Sequence, residues 1–144
     1  AYAGILKTSP DIGMYTSVET GDCSIRNAFA ANDAVSFGSI INAYTQPFLL
    51  LYNHRKDRGY RMEAFAKAIR QSAAKPVCIG VIGEHKKACA RYMQRATGIR
   101  AQAVERPKEW IQAQNVRHVL CAGNIKGEGR QFLEEMIEEA RQNV

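Results

Sequence analysis

The sequence predicts an α/β domain of the Rossmann-like kind: an open, mainly parallel sheet with helices on both faces. Short, nearly continuous apolar runs recur along the chain, as strands covered on both faces require. Between them lie segments with apolar residues every three to four positions, the mark of helices with one buried stripe. The two patterns alternate, which favours parallel strands joined by right-handed crossovers.

Taken in order, the first 22 residues fit the alternation least, and KTSPDIG at 7–13 reads as turn. Strands are expected over 24–30 (SIRNAFA), 48–53 (FLLLYN), 76–82 (PVCIGVI) and 118–122 (HVLCA), with a weaker one over 101–104. Ser36 is placed to cap the helix that follows the first of them. Met62, Phe65, Ala66 and Ile69 line the next helix, and Ala88, Cys89, Tyr92, Met93 and Ala96 the third. Pro107, favoured at a first helical position, opens a short helix to about Gln114. Phe132, Leu133, Met136, Ile137 and Ala140 line the last helix.

At 144 residues the chain fits one domain and needs neither disulfide nor metal to fold. Its four cysteines show no C-x-x-C spacing and sit largely in apolar runs, so they read as buried thiols in a reducing compartment. Nothing resembles a signal peptide, and no apolar run approaches the roughly 18 residues of a membrane span. The first residue is not Met, which fits a processed or truncated piece. Twenty Lys and Arg against 14 Asp and Glu give a net charge of +6, which favours acidic partners. The acids gather in the last helix, at Glu128, Glu134, Glu135, Glu138 and Glu139, so the remainder is more basic than the total.

Ligands of open α/β sheets bind outside the carboxyl ends of the strands. The loops there are residues 31–36, 53–59, 83–85 and 123–129. The first, in FAANDAVS, brings Asn32 and Asp33, which also suit a plain tight turn. The second, NHRKDRGYR, runs from Asn53 to Arg61 and holds Arg55, Lys56, Arg58 and Arg61, with Asp57 able to orient one arginine. Guanidinium groups match carboxylates and phosphates, so this loop is the strongest candidate anion site. The last, CAGNIKGEGR, places glycines at 123, 127 and 129 ahead of a helix N-terminus. No Walker A loop, G-x-G-x-x-G, G-x-S-x-G, H-E-x-x-H or zinc spacing occurs. The histidines at 54, 85 and 118 are scattered, and nucleic-acid modules are unmatched.

FAANDAVS, LLYNHRKDRGYR and CAGNIKG, in this order and spacing, resemble the C-terminal domain of the ligase subunit of bacterial poly-γ-glutamate synthase. SPDIGMY is similar to the Pro-Asp-Pro-Gly segment that precedes the Asn-Asp loop in that family, which is related to Mur ligases and folylpolyglutamate synthetases. The resemblance runs from about Ala3 to Glu139 and is vague in the third helix. It implies ATP-dependent amide formation, with a carboxylate phosphorylated and the amine of glutamate displacing phosphate. It implies that Asn32 and Asp33 lie near the nucleotide, that Arg55, Asp57, Arg58 and Arg61 face phosphate or polyglutamate, and that Asn53 binds nucleotide or substrate with them. Asn124 and Gly127 would shape the glycine-rich wall.

By the same resemblance residues 24–144 are the C-terminal domain and 1–23 a linker from an ATPase domain or a packed extension. ATP and Mg belong to the complete enzyme, and neither cofactor nor metal nor catalytic residue is expected in this chain alone. Partners would be the P-loop ATPase domain, other subunits of a membrane-associated capsule synthesis complex, glutamate and poly-γ-glutamate, with no nucleic acid. The location would be cytoplasmic, at the inner face of the cell membrane. Two departures bear on loop rigidity: Ala34 follows Asp33, and Ile12 stands in the early segment, where the family has Pro. Gly59 and Tyr60 vary between the basic residues. Two other classes stay open, a non-catalytic module binding nucleotide or an acidic polymer, and a small stand-alone transferase. The transferase lacks a visible nucleophile, base pair or cofactor fingerprint.

Overall fold

The computed structural model describes residues 17–29, 33–56 and 59–142. The order is β1 (Ser17–Glu19), β2 (Ser24–Asn27), α1 (Ala34–Asn42), β3 (Phe48–His54), α2 (Gly59–Gln71) and β4 (Ile79–Gly83). It continues with α3 (Lys86–Thr97), β5 (Ala101–Ala103), α4 (Pro107–Gln114), β6 (His118–Gly123) and α5 (Glu128–Gln142). The strands form one sheet in the order β1-β2-β6-β3-β4-β5. All neighbours are parallel except β1, which pairs antiparallel with β2.

The central strand β3 is buried along its whole length, as its unbroken apolar run requires. Alternate side chains feed two separate cores. Leu49, Leu51, Ile82, Val119 and Cys121 face α4 and α5, meeting Trp110, Ile111, Phe132, Leu133 and Met136. Phe48, Leu50, Tyr52, Val81 and Leu120 face α1, α2 and α3, meeting Phe37, Phe65, Ile69, Cys89 and Met93. Phe37 stacks on Phe65 with ring centroids 4.6 Å apart, tying α1 to α2. The expected α/β sheet with helices on both faces is thus the observed one.

Several boundaries differ from expectation for local reasons. The strand expected over 24–30 stops at Asn27, whose Oδ1 accepts from the amide of Phe29 at 3.1 Å and turns the chain. The strand expected from residue 76 is assigned only from Ile79, although Val77 already donates to Phe48 O at 2.8 Å. Ahead of β2, Ser17–Glu19 form an edge strand that sequence reasoning left unassigned, with Val18 wholly buried. The turn expected over 7–13 lies outside the described residues. The cap of α1 is Asp33 rather than Ser36: Asp33 Oδ1 accepts from the Ser36 amide at 2.8 Å, and the Ser36 hydroxyl reaches back to Oδ2 at 3.0 Å.

All four cysteines are free and buried. Burial pushes the Cys89 thiol up to about 12 and raises Cys121 and Cys23 as well, Cys23 partly offset by its contact with Thr20. The thiolate is the reactive form, so the native chain should react slowly with a thiol reagent at pH 8 and release the full colour of four thiols only on unfolding. Rapid labelling of Cys89 or Cys121 in the native chain would contradict this packing.

Candidate functional site

The strands β2, β6 and β3 are parallel and aligned, with Asn27 opposite Cys121 and Asn53 opposite Gly123. Their following loops therefore leave from one edge of the sheet. After β3 the chain turns to α2 on one face, whereas after β6 it turns to α5 on the other. Loops that part in this way open a crevice at the strand ends, the usual ligand position in such sheets. Here it measures about 470 Å³ and is lined chiefly by Asn53, His54, Arg55, Glu84, Lys126 and Glu128. A second concavity of about 390 Å³, around Lys108, Arg117 and Glu139, lies away from these loops.

Asn53 organises the crevice. It is 2% exposed, and its Nδ2 donates to the carbonyls of Asn124 and Lys126, the latter at 2.7 Å. Its own carbonyl accepts from the Asn124 amide at 3.0 Å. The neighbours must be glycines for this to fit. Gly83 and Gly123 both sit at φ +96°, where a Cβ would strike Asn53. Gly129 lies in the first turn of α5, where a Cβ would come within 2.6 Å of Asn53 Nδ2 and 2.8 Å of Asn124 O.

Two carboxylates complete the frame. Glu128 Oε2 accepts from the Gly83 amide at 3.1 Å, and its Oε1 lies 3.2 Å from Lys86 Nζ. Lys86 also meets Glu105 at 3.2 Å. Burial works against the charge of Lys86, yet the bonds to Glu128 and Glu105 outweigh it and hold its pKa above the ordinary lysine value. Glu84 Oε1 accepts from the Lys56 amide at 3.1 Å, tying the β3–α2 loop to the β4–α3 loop. The latter turns through His85, whose φ of +52° is left-handed.

His54 closes the floor at 6% exposure. Its Nδ1 lies 2.8 Å from Glu84 O, and since a carbonyl only accepts, Nδ1 carries the hydrogen. Its Nε2 is buried without a partner among the described residues, as is Trp110 Nε1 elsewhere.

Of the residues singled out from sequence, Asn53, Arg55 and Gly127 line the crevice, and Arg55 is half-buried there. Asn124 shapes its wall, its Oδ1 accepting from the Lys126 amide at 2.8 Å. Arg61 lies in the first turn of α2, half-buried and close enough to favour the ionised form of Tyr52 against its burial. Asp33 is exposed and bound to its own helix. Asn32, Asp57 and Arg58 lie outside the described residues. Sequence reasoning missed His54, Glu84, Lys86 and Glu128. The first stood inside a motif read for its arginines, and Glu128 was counted with the acids of the last helix. No three His, Cys, Asp or Glu side chains among the described residues converge to hold a metal.

The fold is similar to that of α/β domains in folylpolyglutamate synthase and Mur ligases. It is similar to folylpolyglutamate synthase from Thermotoga maritima, at 16% identity and a TM-score of 0.65, over 94% of this chain and 34% of that one. UDP-N-acetylmuramate–alanine ligase MurC from the same organism is 12% identical with a TM-score of 0.54, over 85% of this chain and 27% of that. MurF ligase, also from that organism, is 8% identical with a TM-score of 0.52, over 92% and 32%. At these identities the likeness is one of fold, and the chain spans about a third of the length of folylpolyglutamate synthase. Among curated protein sequences none is significantly similar to it. The family model of the poly-gamma-glutamate synthase CapB C-terminal domain matches residues 15–139, and the chain belongs to that family. The resemblance read from the loops is therefore correct.

Two outcomes test the frame. Gly129→Ala should destabilise the chain by about 1–3 kcal/mol through overpacking on Asn53, despite the better helix propensity of Ala, as measured by denaturant unfolding. An unchanged midpoint would mean the loop yields freely. The second concerns acid. Hydrogen bonds from the Ser36 amide and hydroxyl hold the Asp33 carboxyl below its ordinary value. A depressed folded pKa contributes stability above the unfolded value of about 3.9 and loses it as pH falls through the folded one. Asn caps as well as Asp but does not titrate, so Asp33→Asn should lose less stability than wild type between about pH 5 and pH 2. Parallel acid curves would contradict the cap's charge dependence.

Proposed function

We propose that the chain is the domain of an ATP-dependent acid–amino-acid ligase that closes over the nucleotide and receives glutamate, extending poly-γ-glutamate. The family match over residues 15–139 carries this reading. The crevice supports it, because Arg55 and Lys126 flank a floor of buried Asn53 and His54 at the strand ends. MurF ligase, one of the fold neighbours, was solved in complex with ADP, which supports a nucleotide beside this kind of domain.

ATP would supply the activation of the carboxylate, and the amine of glutamate would then form the amide. Both reactants are anionic, so their approach costs energy unless cations offset it. Arg55, Arg58 and Arg61 supply that positive charge, and Arg55 stands on the crevice itself. His54 and the Asn53 latch keep the floor fixed beneath it. The chain contains no Walker A loop, so the cradle for the β- and γ-phosphates and the Mg ligands belong to a P-loop domain that completes the site. Val35 and Tyr60, 81% and 64% exposed at the starts of α1 and α2 on this same edge, offer that domain an apolar contact. No helix among the described residues is long and apolar enough to cross a membrane. The complete protein would work at the inner face of the cell membrane with other capsule-synthesis subunits.

The chain alone should show no glutamate-dependent ATP turnover, and adding the P-loop domain should restore it. In the joined enzyme Arg55→Ala removes a charge-assisted bond of about 1.5–3 kcal/mol. If that bond is made in the transition state alone, glutamate incorporation slows roughly 10- to 150-fold. Turnover by the pure chain would show it to be a whole enzyme, and wild-type incorporation by the Arg55 variant would remove that residue from the reaction.

A further inference from the structure

Two opposite charges line the crevice at the strand ends without pairing. They are Glu84 and Lys126, and among the described residues neither forms an ion pair. Each is nevertheless held by its backbone. The Glu84 amide donates to His54 O at 3.0 Å, and the Glu84 carbonyl accepts from His54 Nδ1 at 2.8 Å. Glu84 Oε1 accepts from the Lys56 amide at 3.1 Å, whereas Oε2 has no donor among the described residues. The flanking residues, Gly83 at φ +96° and His85 at φ +52°, set this turn in left-handed conformations. The Lys126 carbonyl accepts from Asn53 Nδ2, and the Lys126 amide donates to Asn124 Oδ1. Strand order sets the polarity: Lys126 follows β6, Arg55 follows β3 and Glu84 follows β4, in the sequence β6-β3-β4 across the sheet. Cations therefore stand at one end of the crevice and Glu84 at the other. Glu128, the second acid of the crevice, is already engaged by Lys86 and the Gly83 amide.

We propose that Glu84 takes the ammonium of the incoming amino acid, making the crevice specific for a dicarboxylate that carries a free amine. The proposal rests on the ligase reading above. Fixed charges of opposite sign that cannot reach each other are satisfied together by a ligand carrying both signs. An α-amino dicarboxylate does so, with its carboxylates on Arg55 and Lys126 and its ammonium on Glu84 Oε2. The turn that carries Glu84 is fixed before the ligand arrives, so little ordering is lost on binding. The overall field works the other way. A chain of net charge +6 would by itself favour glutarate, which is more negative than glutamate. Preference for glutamate therefore reports a carboxylate in the site and not the general field. The role of Glu84 is recognition, with no bond made or broken.

The test titrates this chain with L-glutamate and with glutarate, reading the amide chemical shifts of residues 83–86 and 124–128 by NMR. Wild type should bind L-glutamate about tenfold more tightly than glutarate, the low end of what one charge-assisted bond contributes. Glu84→Gln keeps an oxygen for the Lys56 amide and loses the charge. It should weaken L-glutamate about tenfold, leave glutarate equal or tighter, and so abolish the preference. In the joined ligase the same variant should raise KM for glutamate about tenfold, with a smaller change in kcat. Equal affinity of wild type for the two ligands, or binding of neither, overturns the role of Glu84. A variant that keeps the preference overturns it as well. So does a variant that loses both ligands equally, since that loss belongs to the shape of the loop and not to the ammonium. With polymer still made by the joined wild type, any of these results leaves the ligase reading standing. A wild-type joined enzyme that makes no polymer overturns both.

Discussion

The side-chain amide of Asn53 holds the β6–α5 loop against the end of β3, and the shape of the crevice follows from that interaction. One donor group meets two carbonyls, those of Asn124 and Lys126, which without it would be left short of partners beside the apolar core. Gly83, Gly123 and Gly129 are the complement of this arrangement, since each lacks the Cβ that would collide with Asn53 or the loop it holds. Glu128 then fastens the start of α5 to Gly83 and Lys86, so three loops from three strands become one rigid wall. An edge built on strand ends and cross-loop bonds keeps its charges in place without help from a ligand.

The same sheet separates the molecule electrostatically. Helices α2 and α3 on one face supply Arg61, Lys67, Arg70, Lys87, Arg91 and Arg95 against Glu63 alone, whereas α5 on the other supplies Glu128, Glu134, Glu135, Glu138 and Glu139. A net charge of +6 therefore understates the field over the basic face. Under the proposed ligase function that asymmetry offers the basic face to an anionic ligand and turns the acidic face against it.

How much of this was legible beforehand depended on the range of each interaction. Parallel strands such as β3 announce themselves, because burial on both faces demands a continuous apolar run that nothing else in the neighbourhood imitates. β1 did not, since a three-residue edge strand with Val18 alone turned inward carries no period to read. Choosing between Asp33 and Ser36 as cap was beyond pattern, for both types cap helices and they stand three residues apart. The arginine-rich loop was visible as charge. The role of Asn53 was not, because its partners lie 71 and 73 residues away. Glu84 and Glu128 were hidden for the same reason: an acid at a helix start looks like ordinary dipole matching until the distant amide it binds is known.

If Asn53 governs the crevice, replacing it with the isosteric Asp, which accepts where Asn donates, should loosen both neighbouring loops without moving the rest. Amide hydrogen exchange reads this directly. Loss of the donor shared by two part-buried carbonyls costs about 1–3 kcal/mol, so exchange in residues 83–86 and 124–131 of the Asn53→Asp chain should accelerate roughly 5- to 150-fold, with α1 and β2 unaffected. Protection in those two loops equal to that of wild type would contradict the account, and the crevice would owe its shape to something else.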